Sequence, residues 1–374
     1  MVVLKGASCN VFESLYIHVP FCRGKCDYCA FYSEPNASQL DVHDYAERLC
    51  REFEEHSAKC AELSSVFIGG GTPSVLPVAE WRMIFDEIHR DFRLSATCEW
   101  TCEANPDSLA PSLVEFWAEK GVNRISLGVQ AFQQELRGRI GRRGSLARLS
   151  ELVDSIIANG IRRYNFDLIF NIPGQSIQQW RESLERALAF NPEHISAYAL
   201  TIEEGTRLAA KYPVMDDRAF IEFWEATDEV LGSRGIRRYE ISNFAKSGSE
   251  CRHNLNVWHG MTYLGCGPAA TSFDGQDRWT NVSSLSGWID GVPPEMDIIP
   301  RENRAAEILA FGMRTVGGWR WDEFRARTGY DALELRGAQL RKLETMELLE
   351  LNENGAKPTS KGLLFNDDIA MELL

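Results

Sequence analysis

Three cysteines, Cys22, Cys26 and Cys29, stand at C-x3-C-x2-C spacing directly after the short alternating run Tyr16-Ile17-His18-Val19. A loop leaving the end of a strand can wrap three thiolates around one centre, and cysteine thiolates are the usual ligands of iron–sulfur clusters. Three ligands on a four-iron cube leave one iron without a protein ligand, and a bidentate small molecule can occupy it. Two other readings compete: free core thiols, or part of a zinc site. Arg23, Gly24 and Lys25 between the first two cysteines argue against a core. Zinc would want a fourth ligand close by, and His18, on the strand itself, is a poor one.

The rest of the chain bounds what such a centre can serve. At 374 residues it suits a barrel plus an appendage. Its formal net charge of -14 speaks against nucleic-acid binding, which needs cations against phosphate, and allows at most peripheral membrane contact. No run of about 18 apolar residues is present, so no transmembrane helix is expected. The N-terminus lacks the apolar stretch of a signal peptide. Ten cysteines without a secretory signal point to a reducing cytoplasm. Cys98 and Cys102 fall on a predicted strand and read as core thiols; Cys251 and Cys266 stay open.

The elements that must position the cysteines recur as strand, loop and helix. Strands are predicted at Leu15–Val19, Ser65–Ile68, Thr97–Glu103, Arg124–Val129, Asn165–Ile169 and His194–Leu200. Between them run helical periodicities: Tyr45, Leu49 and Phe53, then Trp180, Leu184 and Leu188 after a cap at Ser176. Such alternation implies an α/β fold, a parallel sheet with right-handed crossovers, and six units permit a partial barrel. Ligands in these folds sit at the carboxyl ends of the strands. There the sequence places Gly69-Gly70-Gly71-Thr72-Pro73, Glu103, Gln130, Arg142 and Asp167. Glycines let backbone approach a ligand, or simply make a turn. Glu103 can accept from hydroxyl or ammonium groups, or be a solvated loop acid. Arg142 can pair with a carboxylate, and Asp167, inside an apolar run, must be paired or face the mouth.

In order and spacing these segments resemble the radical S-adenosylmethionine (SAM) proteins. Within them they are similar to the oxygen-independent coproporphyrinogen III oxidases and their HemW-type haem-chaperone relatives, over residues 14 to about 275. The resemblance implies a three-quarter TIM-like barrel and a [4Fe-4S] cluster on Cys22, Cys26 and Cys29. It implies SAM contacts at Tyr16, Tyr28, Gly70, Gly71, Thr72, Glu103, Gln130, Arg142 and Asp167. Further on, His253-Asn254-Leu255-Asn256-Val257-Trp258 resembles the chaperones' His-Asn-x-x-Tyr-Trp segment, with valine in place of tyrosine. That implies haem contacts at His253, Asn254 and Trp258. By chemistry alone, imidazole can ligate iron and indole can stack on a porphyrin, while a lone histidine is as readily structural. Cys251 and His259 are alternative ligands.

Residues 201–245 read as partly helical, with Phe220, Phe223, Trp224 and Thr227 at helix spacing. The barrel and its extension are assigned to 1–275, a proline-rich linker to 276–300, and a small winged-helix-like α+β domain, a lid or docking surface, to 301–374. Two functions follow from the resemblance: a haem chaperone that delivers haem to acceptor proteins, or a coproporphyrinogen oxidase. The oxidases carry another cysteine two residues after the third, where this chain has Phe31, and a longer N-terminal extension. Both features favour the chaperone. The SAM machinery reads as complete, so SAM cleavage with an external electron donor is expected, and a homodimer is left open.

Overall fold

The computed structural model describes residues 11–35, 37–212 and 220–374. Cys9 and part of the 201–245 helical reading lie outside them. Six parallel strands carry the barrel: β1 Phe12–Val19, β2 Cys60–Gly70, β3 Leu94–Ala104, β4 Arg124–Gln130, β5 Arg163–Phe170 and β6 His194–Ala199. Each contains or closely matches its predicted strand. The crossovers hold helices α1 Gln39–His56, α2 Val78–Asp91, α3 Pro111–Glu119, α4 Leu149–Ala158 and α5 Ile177–Leu188. Ser38 and Ser176 open α1 and α5 with capping boxes closed by Asp41 and Gln179.

Alternation along β1 sorts its residues to two faces. Leu15, Ile17 and Val19 are fully buried in one hydrophobic cluster with Tyr45, Leu49 and Phe53 of α1. Burying each such side chain stabilises by roughly 1.5–3 kcal/mol. The opposite face carries Ser14, Tyr16 and His18 into the barrel. There Ser65 Oγ donates to Ser14 Oγ at 3.0 Å, and Phe67 stacks on Tyr16 with ring centres 6.2 Å apart.

The sheet continues past the six strands. After α6 Phe220–Gly232, β7 Arg237–Arg238 and β8 Asn243–Ala245 add antiparallel strands beside β6. On the other side β9 Tyr263–Cys266 lies parallel to β1, followed by antiparallel β10 Thr271–Phe273, β11 Arg278–Thr280 and β12 Glu295–Asp297. The segment 276–300, read as a linker, therefore carries two strands of the main sheet. Pro293 and Pro294 sit in the turn before β12, where no ladder N–H is required, and Pro300 stands at the N-cap of the helix that follows.

Helix α7 Arg252–Trp258 crosses the amino-terminal end of the barrel. Buried Glu99 holds it there: one carboxylate oxygen accepts from the Arg252 N–H at 2.8 Å, while Arg124 and Arg163 lie 3.5 and 3.3 Å from the other. The remaining residues form α8 Arg301–Gly312, α9 Trp321–Thr328 and α10 Ala332–Thr345. A three-stranded sheet (β13 Trp319–Arg320, β14 Leu349–Asn352, β15 Gly355–Pro358), a short helix Ser360–Leu364 and α11 Asn366–Leu373 complete them. Leu309, Met313, Trp319, Phe324, Leu340 and Ile369 make a separate core that also takes in Phe273. Among the described residues no helix is long and apolar enough to cross a membrane.

Candidate functional site

The cysteine loop leaves β1 and is pinned at its middle from two sides. The Asp27 N–H donates to Ile140 O at 3.0 Å, and Leu208 N–H donates to Asp27 O at 2.8 Å. The Asp27 carboxylate pairs with Arg207 at 3.2 Å and with Lys211. Gly141, at φ 72°, approaches so closely that a Cβ there would stand 2.5 Å from Asp27 Cγ. Thr72 Oγ1 lies 3.4 Å from Cys22 Sγ, and Arg142 Nη1 donates to Cys26 Sγ at 3.5 Å. Burial raises the Cys22 and Cys29 thiols above their ordinary range.

Among the described residues no group of three or more His, Cys, Asp or Glu converges tightly enough for a single metal ion. Three thiolates that each meet a different iron of a cluster must stand further apart than three on one ion. Three sulfurs from one loop, all lining one cavity, are a donor set that fits an iron–sulfur cluster.

All three cysteines line a cavity of about 870 Å3, together with Tyr28, Gly70, Gly71, Thr72, Glu103, Gln130, Arg142 and Asp167. Eight of the nine residues matched to SAM contacts are therefore brought to one cavity. Tyr16 is not. It lines a neighbouring cavity, and its hydroxyl donates to His18 Nδ1 at 3.1 Å, while His18 donates from Nε2 to Tyr32 O.

Gln130 adopts φ 69° at a break in the β4–β5 register. A non-glycine residue in that region costs energy and tends to mark a working site. Arg142 donates to Gly128 O at 2.7 Å, and its Nε is buried without a partner, a donor left over for a ligand. Burial and nearby Asp167 push Glu103 up to about 8, partly offset by the Gly70 N–H that it accepts.

The glycine run has a packing reason. A Cβ on Gly69 would stand 2.7 Å from Glu103 Oε2, one on Gly70 2.6 Å from the His18 ring, and one on Gly71 2.7 Å from Phe21 O. The Gly71 and Thr72 N–H groups are spent on Val19 O and Phe21 O, each at 2.7 Å. Neither N–H is left to offer a ligand.

Asp167 is held ready by a buried polar network. It accepts from Ser126 Oγ at 2.9 Å and from Asn165 Nδ2 at 2.7 Å. Asn165 Oδ1 in turn accepts from His194 Nδ1 at 2.8 Å, and the Tyr239 hydroxyl donates to His194 Nε2 at 2.8 Å. An amide oxygen only accepts, so His194 is the neutral Nδ1–H tautomer; burial, with Arg124 nearby, holds its pKa well below the ordinary value. Asn165→Leu would leave both Asp167 and His194 short of a partner, at a cost of about 2–5 kcal/mol. The unfolding midpoint should fall accordingly, and a variant within about 0.5 kcal/mol of the parent would show that the network does not hold the barrel.

His253 lines the neighbouring cavity of about 650 Å3. Its Nδ1 lies 3.1 Å from Ser65 Oγ. Since Ser65 gives its own proton to Ser14, it accepts from His253, and the lone pair stays on Nε2. Burial lowers the His253 pKa to about 4, so the ring is neutral and able to ligate. The rest of the matched segment is dispersed. Val257 reaches the same cavity, whereas Trp258 packs against Phe311, with Arg314 4.4 Å above its ring. Asn254 lines neither cavity. Cys251 is buried with its thiol pushed up to about 12, and the His259 nitrogens face the carbonyl oxygens of Leu255 and Gly318, at 3.0 and 3.2 Å.

Sequence reasoning missed the Arg207 and Lys211 clamp and the supporting Ser126, Asn165, His194 and Ser196, the last accepting from Asn165 Nδ2 at 3.0 Å. Polar residues at alternate positions of buried strands were the available signal for the latter four.

Residues 16–187 match the Radical SAM superfamily, and 299–365 match the HemN C-terminal domain. "Heme chaperone HemW" of Bacillus subtilis (strain 168) is 32% identical over 373 residues, covering 96% of this chain and 98% of that protein. The Haemophilus influenzae protein of the same name is 35% identical over 369 residues, covering 95% and 96%. Among solved structures, coproporphyrinogen III oxidase (HemN) from Escherichia coli superposes with a TM-score of 0.85 at 20% identity, covering 98% of this chain and 91% of that one. That likeness carries the fold alone.

Proposed function

The chain belongs to the HemW heme-chaperone family of radical SAM proteins, and from that premise we propose how its residues divide the work. Cys22, Cys26 and Cys29 hold a [4Fe-4S] cluster, the adjoining cavity takes SAM, and His253 binds haem as cargo for acceptor proteins. The observation that carries this reading is the convergence of three cysteines, two half-buried carboxylates and a half-buried arginine on one cavity, with a neutral histidine on the cavity beside it. When bound, such a cluster would supply an iron without a protein ligand and, once reduced by an external donor, an electron for the SAM sulfonium.

The protein's own part is positioning. Carbonyl oxygen of the glycine segment and Glu103 suit the ammonium end of SAM. Arg142, with its unpartnered Nε, suits the carboxylate. Asp167, kept in place by Ser126 and Asn165, offers an acceptor to ribose hydroxyls. For the cargo, His253 offers Nε2 to iron, and the Tyr16 and Phe67 rings pack beside the imidazole, 6.3 and 5.1 Å away. We place the protein in the cytoplasm, on the ground of its many free thiols, and assign residues 301–374 a lid or docking role.

The decisive test is anaerobic incubation of reconstituted protein with SAM, reductant and coproporphyrinogen III. No protoporphyrinogen IX is expected, and its formation at enzymatic rates would replace the chaperone by an oxidase. His253→Ala should weaken haem binding about tenfold or more and change the haem spectrum. An unaltered spectrum and affinity would assign the axial position to another residue.

A further inference from the structure

The 650 Å3 cavity runs along the inner face of β1, from His253 and Val257 at one end to Lys25 and Phe31 of the cysteine loop at the other. Its wall is a set of rings: Tyr16 lies 6.1 Å from His18 and 6.3 Å from His253, and His18 lies 6.3 Å from Tyr32. Among the described residues that line it, Lys25 is the one permanent cation, and no carboxylate takes part. Such a site asks for a flat apolar body, a metal within reach of an imidazole, and an anionic edge.

Lys25, between the first two cysteines, and Phe31, two residues past the third, also line the 870 Å3 cavity, so the cysteine loop is the lip between the two. Phe31 is 70% exposed. An isolated exposed phenylalanine needs no explanation. One standing at the mouth of an aromatic-walled cavity has a ready use, because a flat ligand entering there would cover it.

We propose that Lys25 and Phe31 form the mouth of the haem seat, Lys25 pairing with a propionate carboxylate and Phe31 covering the edge of the macrocycle. The proposal rests on the reading of His253 as the iron ligand. It fixes the cargo's orientation, with iron toward His253 and propionates toward the cluster loop. It also sets haem beside SAM rather than in its place, since the two cavities share a lip and not a floor.

The test is equilibrium titration of the full chain with ferric haem and with its dimethyl ester, in which both propionates are blocked. Wild type should prefer the free acid by about three- to tenfold. Lys25→Ala should bring that ratio to about one, and Lys25→Arg should restore it. Phe31→Ala should weaken both forms alike, by about tenfold. A preference that survives in Lys25→Ala, or full affinity in Phe31→Ala, overturns the proposal while leaving the iron ligand in place. Wild-type affinity and spectrum in His253→Ala would instead remove the reading beneath it.

Discussion

Cys26→Ala, reconstituted anaerobically with iron and sulfide, is expected to come off the column with almost no bound iron and without the broad visible absorption of a four-iron cluster. Three thiolates are all that this loop supplies, and among the described residues no other cysteine lines the cluster cavity. Cys102, Cys251 and Cys266 are buried in the packed interior, and none of them lines the cluster cavity. Asp27, the nearest carboxylate in the sequence, is bound by Arg207 and Lys211. Loss of Cys26 also releases Arg142 from the sulfur it meets at 3.5 Å, so SAM binding should weaken along with the cluster. The loop itself should survive, because its anchors to Ile140 and Leu208 are backbone hydrogen bonds that do not involve Cys26. Near-native thermal stability with no iron is therefore the expected pair of results. Full iron and sulfide in the variant would mean that the ligands are assigned wrongly.

What could be read from the sequence is what repeats or clusters. The strands of the barrel announce themselves as short apolar runs before distinctive loops, and Glu103 and Asp167 stand out as acids where apolar residues are the rule. The spacing of Cys22, Cys26 and Cys29 carries its chemistry without any fold at all. The parts that escaped depend on which residues meet across the barrel. Asn165 is an ordinary residue at the start of an apolar run until His194, 29 positions later, turns out to share its amide. Tyr16 resembles a SAM contact, yet the alternation of β1 puts it beside His18 and His253.

The same holds for segments whose local signal was right but whose partners were unknown. Prolines at 293 and 294 signal a break, and a break is present, but β11 and β12 on either side of it pair with each other at the sheet edge. The His253–Trp258 segment reads as one motif. On a short helix its residues point in different directions, and His253 and Trp258 end up on different neighbours. A helix periodicity of 3.6 would have warned of this, since positions five apart do not share a face.

Glu103→Gln is expected to make the ligand-free protein more stable at alkaline pH and to cripple SAM binding. Burial, with Asp167 adding to it, pushes the Glu103 carboxyl from 4.5 up to about 8. The folded chain thus holds a proton that the unfolded chain releases. Stability from this group is fully present below the unfolded value and drains away as pH rises through the folded one. Each unit of difference corresponds to about 1.4 kcal/mol, so the group sets a steep slope between about pH 4.5 and about pH 8. Glutamine has the same shape and cannot ionise. The variant should match wild type near pH 5 and exceed it above pH 8, as read from paired melting curves.

Binding runs the other way. An ammonium group in the cavity favours the carboxylate, so SAM must displace the proton, and wild-type affinity should climb by up to about tenfold per pH unit before levelling near about 8. In Glu103→Gln that climb should flatten, and affinity at alkaline pH should drop by about ten- to a hundredfold, the worth of a charge-assisted hydrogen bond. A residue that costs the empty fold and serves the filled one is what a binding site demands of its chain. A variant that melted lower than wild type at pH 8, or bound SAM with an unchanged pH profile, would show that Glu103 is a structural acid and that the ammonium end lies elsewhere.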